Sequence, residues 1–143
     1  MGNGLEKLFY LIQDNVIKAR ELKTTGSIDN VQIDSTANRA VQLCVLDLIL
    51  DEHRKKYGNQ FGPLHGKLAL QHKLLLKYNW PLTDIRALTL ADVFLALHDE
   101  ITFENLEEDA KHRLLQITSS HSPTQFSNYM EDEWDPELAE HFI

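Results

Sequence analysis

The chain reads as all-α: a single-domain bundle of about five helices around a central apolar helix, residues 36–57, with an acidic C-terminal segment. Three observations lead there. Apolar residues recur at three- and four-residue spacing through most of the chain, and the one alternation, Val31-Gln32-Ile33, is too short for a strand. Between Ser35 and Gly58, Val41, Cys44, Val45 and Leu48 fill one side of a helix, and Leu43, Leu46, Ile49 and Leu50 cover most of what remains. A helix apolar nearly all round must be enclosed by other elements. Finally, the helical pattern stops at Thr118 and the composition changes with it. A chain of 143 residues is long enough for one core.

The first helix is expected from about Leu5 to Leu22, with Leu5, Leu8, Phe9, Ile12, Val16 and Ala19 inward. Thr24-Thr25-Gly26-Ser27 should stop it. The connection through Val31-Gln32-Ile33 reads as loop or extended chain. Ser35 or Thr36 can cap the central helix, and Gly58 suits the left-handed position past its end. His53, Arg54, Lys55 and Lys56 stand where the helix dipole favours cations.

Pro63 is placed to open a third helix to about Tyr78, with Leu64, Leu68, Leu75 and Tyr78 as its stripe, widened by Leu70 and Leu74. Asn79-Trp80-Pro81 breaks it, and Pro81 to Ala87 holds one short helical turn. Thr89-Leu90-Ala91-Asp92 resembles a capping box opening a fourth helix to about His98. A fifth begins at Thr102 or Asn105 and ends near Ile117, with Leu106, Ala110, Leu114 and Ile117 inward. Residues 1–118 thus form a helical domain. Residues 119–143 form an acidic aromatic segment packed on it or extending from it, with a last helical signal after Asp135-Pro136.

Cys44 is the only cysteine, so no intramolecular disulfide is possible, and a reducing compartment follows. The opening residues lack the basic-then-apolar order of a secretory signal, and no apolar run is long enough to span a bilayer. The expected location is the cytoplasm. Charge is uneven. Residues 1–113 carry all 14 Lys and Arg against 16 acids, whereas residues 114–143 carry six acids and no Lys or Arg. That balance argues against nucleic-acid contact by the tail, because phosphate needs cations.

Catalytic and metal motifs are scarce. His65 and His72 lie seven apart, roughly 10 Å along a helix axis, too far for one ion on a straight helix. Asp47 and Asp51 share a helical face, where a carboxylate pair could hold a divalent ion or move protons. Arg54 lies on that same face and is the expected neutralising partner, with Lys55 helping. Cys44 sits in a leucine-rich stripe, so it reads as an inert core thiol. No nucleophile elbow, phosphate loop or dinucleotide fingerprint occurs.

The C-terminal segment interleaves Phe126, Tyr129, Trp134 and Phe142 with Glu131, Asp132, Glu133, Asp135 and Glu137. Aromatic anchors carry much interface energy, and flanking charge sets approach rate and partner choice; equally, the aromatics can fold back onto the protein's own helices while the acids stay solvated, and both can hold at once. The expectation is a non-catalytic protein-binding protein: an acidic inhibitor of a basic partner, of the immunity-protein or antitoxin kind, with a toxin or nuclease as target. Its contact surface would be residues 126–140, aided by Glu104, Glu107, Glu108 and Asp109. No cofactor, nucleic acid or membrane enters this reading. One alternative is an adaptor or regulatory subunit docking a partner helix. Another is a metal-dependent helical enzyme using Asp47, Asp51 and His98.

Overall fold

The computed structural model describes residues 2–23, 25–26 and 29–143. Among them there are six α-helices and no strand, so the all-α class stands. Helix α1 (Gly2–Ala19) begins earlier and ends earlier than its apolar pattern suggests. Its end is a Schellman turn: Glu21 is left-handed at φ 55°, its amide donates to Lys18 O, and Leu22 N donates to Ile17 O. The stop therefore precedes Thr24–Ser27, of which Thr24 and Ser27 lie outside the described residues. Leu5, Leu8, Phe9, Ile12 and Val16 bury against the second helix as their spacing requires.

That helix, α2 (Asn30–Tyr57), starts six residues before the expected 36. Asp29 is the cap, accepting from Val31 N at 2.9 Å, so Val31–Ile33 is helical rather than loop. Ser35 and Thr36 are inside the helix. Thr36 instead donates its hydroxyl to Ile33 O, and Ser35 donates to Thr124 Oγ1. At the other end Gly58 is extended (φ −65°), not left-handed. Glycine is needed there for space, since a Cβ would come within 2.6 Å of Arg54 O.

Helix α3 (Lys67–Tyr78) starts four residues after Pro63, because Leu64 (φ 61°) and Gly66 (φ 57°) take the chain out of helical geometry first. The inward side chains are Ala69, Leu70 and Leu74, while Leu68, expected inside, is 56% exposed. Five leucines in this helix left the period ambiguous. Helices α4 (Leu82–Arg86) and α5 (Leu90–Ala96) follow. The α5 capping box is complete: Asp92 N donates to Thr89 Oγ1, and Thr89 N to Asp92 Oδ2. A 3-10 turn (Phe103–Asn105) replaces the expected start of the fifth helix, which instead runs as α6 (Glu108–Ser119) with Leu114 fully buried. After it the chain holds only two 3-10 turns, Glu131–Glu133 and Leu138–His141. No described helix is long and apolar enough to cross a membrane.

Candidate functional site

Residues 121–143 are laid along α2 as a strap, in the same direction as the helix. Contacts step forward together: Ser35 with Thr124, Asn38 with Ser122 and Thr124, Gln42 with Tyr129, Asp47 with Trp134, Arg54 with Glu140. The sequence explains why. An irregular segment has backbone carbonyls that no helix or sheet satisfies, and buried carbonyls must be paired. Helix α2 supplies these donors from Asn38 and Arg39, in a polar stripe with Ser35 and Gln42, which donate to the hydroxyls of Thr124 and Tyr129; the four are spaced three and four apart on one face. Asn38 Nδ2 donates to both Ser122 O and Thr124 O at 2.8 Å.

The strap's deepest anchor is Glu133, fully buried against two guanidinium groups. Arg20 Nη2 reaches its Oε1 at 2.7 Å and Arg39 Nη1 at 3.0 Å. Arg39 also donates to Asn128 O and Phe126 O, and Arg20 to Asn128 O at 2.6 Å. The carbonyl dipoles help balance two cations against one carboxylate. Arg20 lies 3.8 Å over the Phe126 ring and Arg39 4.0 Å over Tyr129. Burial lowers the pKa of Arg39, and Glu133 opposes that shift.

Several expected contact residues are thus internal. Glu133, expected to face a partner, is a buried ion-pair member, because Arg20 and Arg39 need a counter-charge where the strap covers them. Phe126, Tyr129 and Trp134 are half-buried against the core, as the fold-back reading of these aromatics expects. Tyr129 stacks on Phe94 at 4.9 Å and accepts from Gln42 through its hydroxyl oxygen.

Trp134 Nε1 donates to Asp47 Oδ1 at 2.9 Å. The expected neutralisation of Asp47 by Arg54 is therefore replaced by an indole hydrogen bond. Arg54 instead donates to Leu64 O and pairs with Glu140 at 3.5 Å and Asp51 at 3.9 Å. Asp51 pairs more closely with Lys55, at 2.9 Å. Burial raises the Asp47 carboxyl to about 7, against the lowering influence of Trp134 and Arg54. Asp51 lines a cleft that Asp47 and His98 do not, so the three do not surround one ion-sized space. No group of three or more described His, Cys, Asp or Glu residues could hold a metal ion. Cys44 is fully buried, and desolvation pushes its thiol upward.

What the strap turns outward is acidic. Glu131, Asp132, Asp135 and Glu137 are all exposed. Glu131 accepts from Leu90 N at the start of α5, and Asp135 from Glu137 N. No described Lys, Arg or His lies within ion-pair distance of any of the four. Glu104, Glu107 and Glu108 are exposed as well, while Asp109 pairs with Arg113. Glu107 stands at a different place, the cleft of about 590 Å³ bounded by α2, α3 and the start of α6.

That cleft holds charges of both signs. Lys73 and Lys77 share Glu100, and Lys77 also meets Asp99. His53, which is buried, shares a 2.9 Å hydrogen bond with His72. Burial lowers His53 to about 4, with Lys73 and His72 adding to the shift.

The residues missed by reading the sequence are Arg20, Asn38, Arg39 and Gln42. For the last three the signal was available: with Ser35 they are polar side chains on one face of a helix otherwise apolar all round, and such groups require buried partners; Arg20, past the end of α1, had no such pattern. Comparison of the chain with protein families, with curated proteins and with solved structures found no match, so the site stands on its own geometry.

Proposed function

We propose that this protein works by binding another protein of basic surface through the outward carboxylates of its strap. The observation that carries the reading is Glu131, Asp132, Asp135 and Glu137: four exposed acids within seven residues, with no described cation of this chain beside them. Uncompensated charge on a surface held in place by buried anchors steers a cationic partner and accelerates encounter. The aromatics fix the strap on its own helices, so recognition falls to charge. An inhibitor occupying the cationic substrate cleft of a toxin or nuclease fits such a surface, as its carboxylates would stand where phosphates bind.

A second reading, an adaptor that docks a partner through apolar contact, is favoured by one observation. Phe61 is 91% exposed at the tip of a turn ordered by Asn59, whose Oδ1 accepts from the amides of Phe61 and Gly62 at 2.9 Å.

Affinity capture from the native cell, read by quantitative mass spectrometry, separates the two. The protein carrying Asp132→Lys, Asp135→Lys and Glu137→Lys should recover at least about tenfold less of a basic partner than wild type at roughly 50 mM salt. Wild-type recovery should also fall steeply by roughly 300 mM. Equal recovery by both proteins would remove the proposal, and recovery lost only in Phe61→Ser would favour the adaptor.

A further inference from the structure

Asp47 is 3% exposed, in the middle of the most enclosed helix, and its carboxyl group is only half satisfied. Oδ1 accepts from the Trp134 indole, whereas Oδ2 is buried with no hydrogen-bond partner. An ionised carboxylate in that position has one donor where it could accept several, and full burial denies it water. Few groups offset the charge. On its own helix Arg54 acts on it at a distance, but Arg54 is already engaged by Leu64 O, Glu140 and Asp51. Cys44 is a neutral thiol one turn away, held protonated by burial. From the strap, Asp135 brings a like charge. Asp51, one turn on along the same face, is itself paired with Lys55 and Arg54, and no described Lys, Arg or His of any element lies within ion-pair distance of Asp47.

The same carboxyl is also the partner of Trp134 at the middle of the strap. We propose that Asp47 is a proton-operated latch: with its carboxyl protonated the Trp134 stretch lies closed on α2, and loss of that proton to solvent opens it. Opening hydrates both carboxylate oxygens, which the closed packing cannot do. The segment concerned is bounded by two further anchors, Glu133 on Arg20 and Arg39, and Glu140 on Arg54, His65 and Gly66 N. The latch therefore frees the middle of the strap, not the whole. Asp135 and Glu137 lie in that middle, so the latch would also regulate the acidic surface; that consequence rests on the proposed function, whereas the latch itself does not.

The test needs no partner. In the nitrogen-15-labelled 143-residue chain, the Trp134 indole N–H resonance is followed from pH 5.5 to 8.5, together with exchange of the strap's backbone amides corrected for intrinsic rate. With closed and open carboxyls at about 7 and 3.8, closure should weaken roughly 30-fold over that range. The indole resonance should titrate with its midpoint near 7, and protection at Leu138 N should fall about tenfold per pH unit from pH 5.5 and level off near 7.

Asp47→Asn, isosteric with the protonated acid, should abolish the indole titration and hold protection within about twofold. The strap's other titratable contacts, His65 with Glu140 and His121 with Asp34, survive in that variant, so the difference isolates Asp47. An indole resonance that does not titrate, or a loss of protection equal in both proteins, overturns the latch. Should Asp47→Asn fail to fold, the wild-type protein decides alone: an indole titration near 7 together with protection that falls up to that pH and then levels supports the proposal, and the absence of either defeats it.

Discussion

Glu133 shows what a single acid does once it is enclosed. On the surface it would be one charge among six; buried, it is the only carboxylate among the described residues that pairs with Arg20 and Arg39. Removing one partner of a buried ion pair leaves the other uncompensated, which costs more than the pair contributes. Glu133→Ala should therefore destabilise the protein by about 3 kcal/mol or more, read as a lower urea midpoint. Asp132→Ala, exposed and unpaired, should change it by less than about 0.5 kcal/mol. Equal effects would mean that Glu133 is solvated.

His53 makes the complementary case for pH. Its folded pKa, about 4, lies below the ordinary value of 6.5 because burial disfavours the charged ring, so the unfolded chain binds the proton more readily. The stability it contributes is full above pH 6.5 and is lost as pH falls towards 4. Asp47 runs the opposite way in the same interval, its raised pKa favouring the folded state as pH falls. The useful quantity is therefore the difference between wild type and His53→Gln. Wild type should lose about 2 kcal/mol more than the variant between pH 7 and 4.5. Parallel stability curves would place His53 in water.

At the scale of elements, helix ends and the strap departed most from what periodicity conveys. Apolar spacing identified α1, α2, α5 and α6 because each has a buried face, and the Thr89–Asp92 box needed only local chemistry. Termini depend on which local group takes the first or last backbone bond. Asp29 outcompeted Ser35 and Thr36 for the start of α2, and Glu21 ended α1 in a conformation glycine usually adopts. Replacing Glu21 by Gly should accordingly stabilise the protein by about 0.5–1 kcal/mol, seen as a higher thermal midpoint. A loss of stability would show that the Glu21 side chain matters more than its φ.

The strap was legible only in part. Its acids and aromatics were plain in the sequence, but their direction was not, since irregular chain has no period from which a face can be read. The decisive clue lay in α2 instead. Asn38, Arg39 and Gln42 hydrogen-bond the strap through long-range contacts that local patterns do not encode.

For the molecule as a whole, these assignments divide one segment between two tasks. Inward, it completes the core with Phe126, Tyr129, Glu133 and Trp134; outward, it presents Glu131, Asp132, Asp135 and Glu137. This division concentrates part of the net charge of −8, because Arg20 and Arg39 pair with Glu133 and Arg54 with Glu140, and no described Lys or Arg pairs with the outward acids.

Both tasks require that residues 121–143 be part of the fold in the free protein. Nitrogen-15 relaxation of the isolated chain near pH 6 measures this directly. Amides from Phe126 to Leu138 should show order parameters near about 0.85, matching those of α2. Values below about 0.6 along that stretch, with α2 still rigid, would contradict the account.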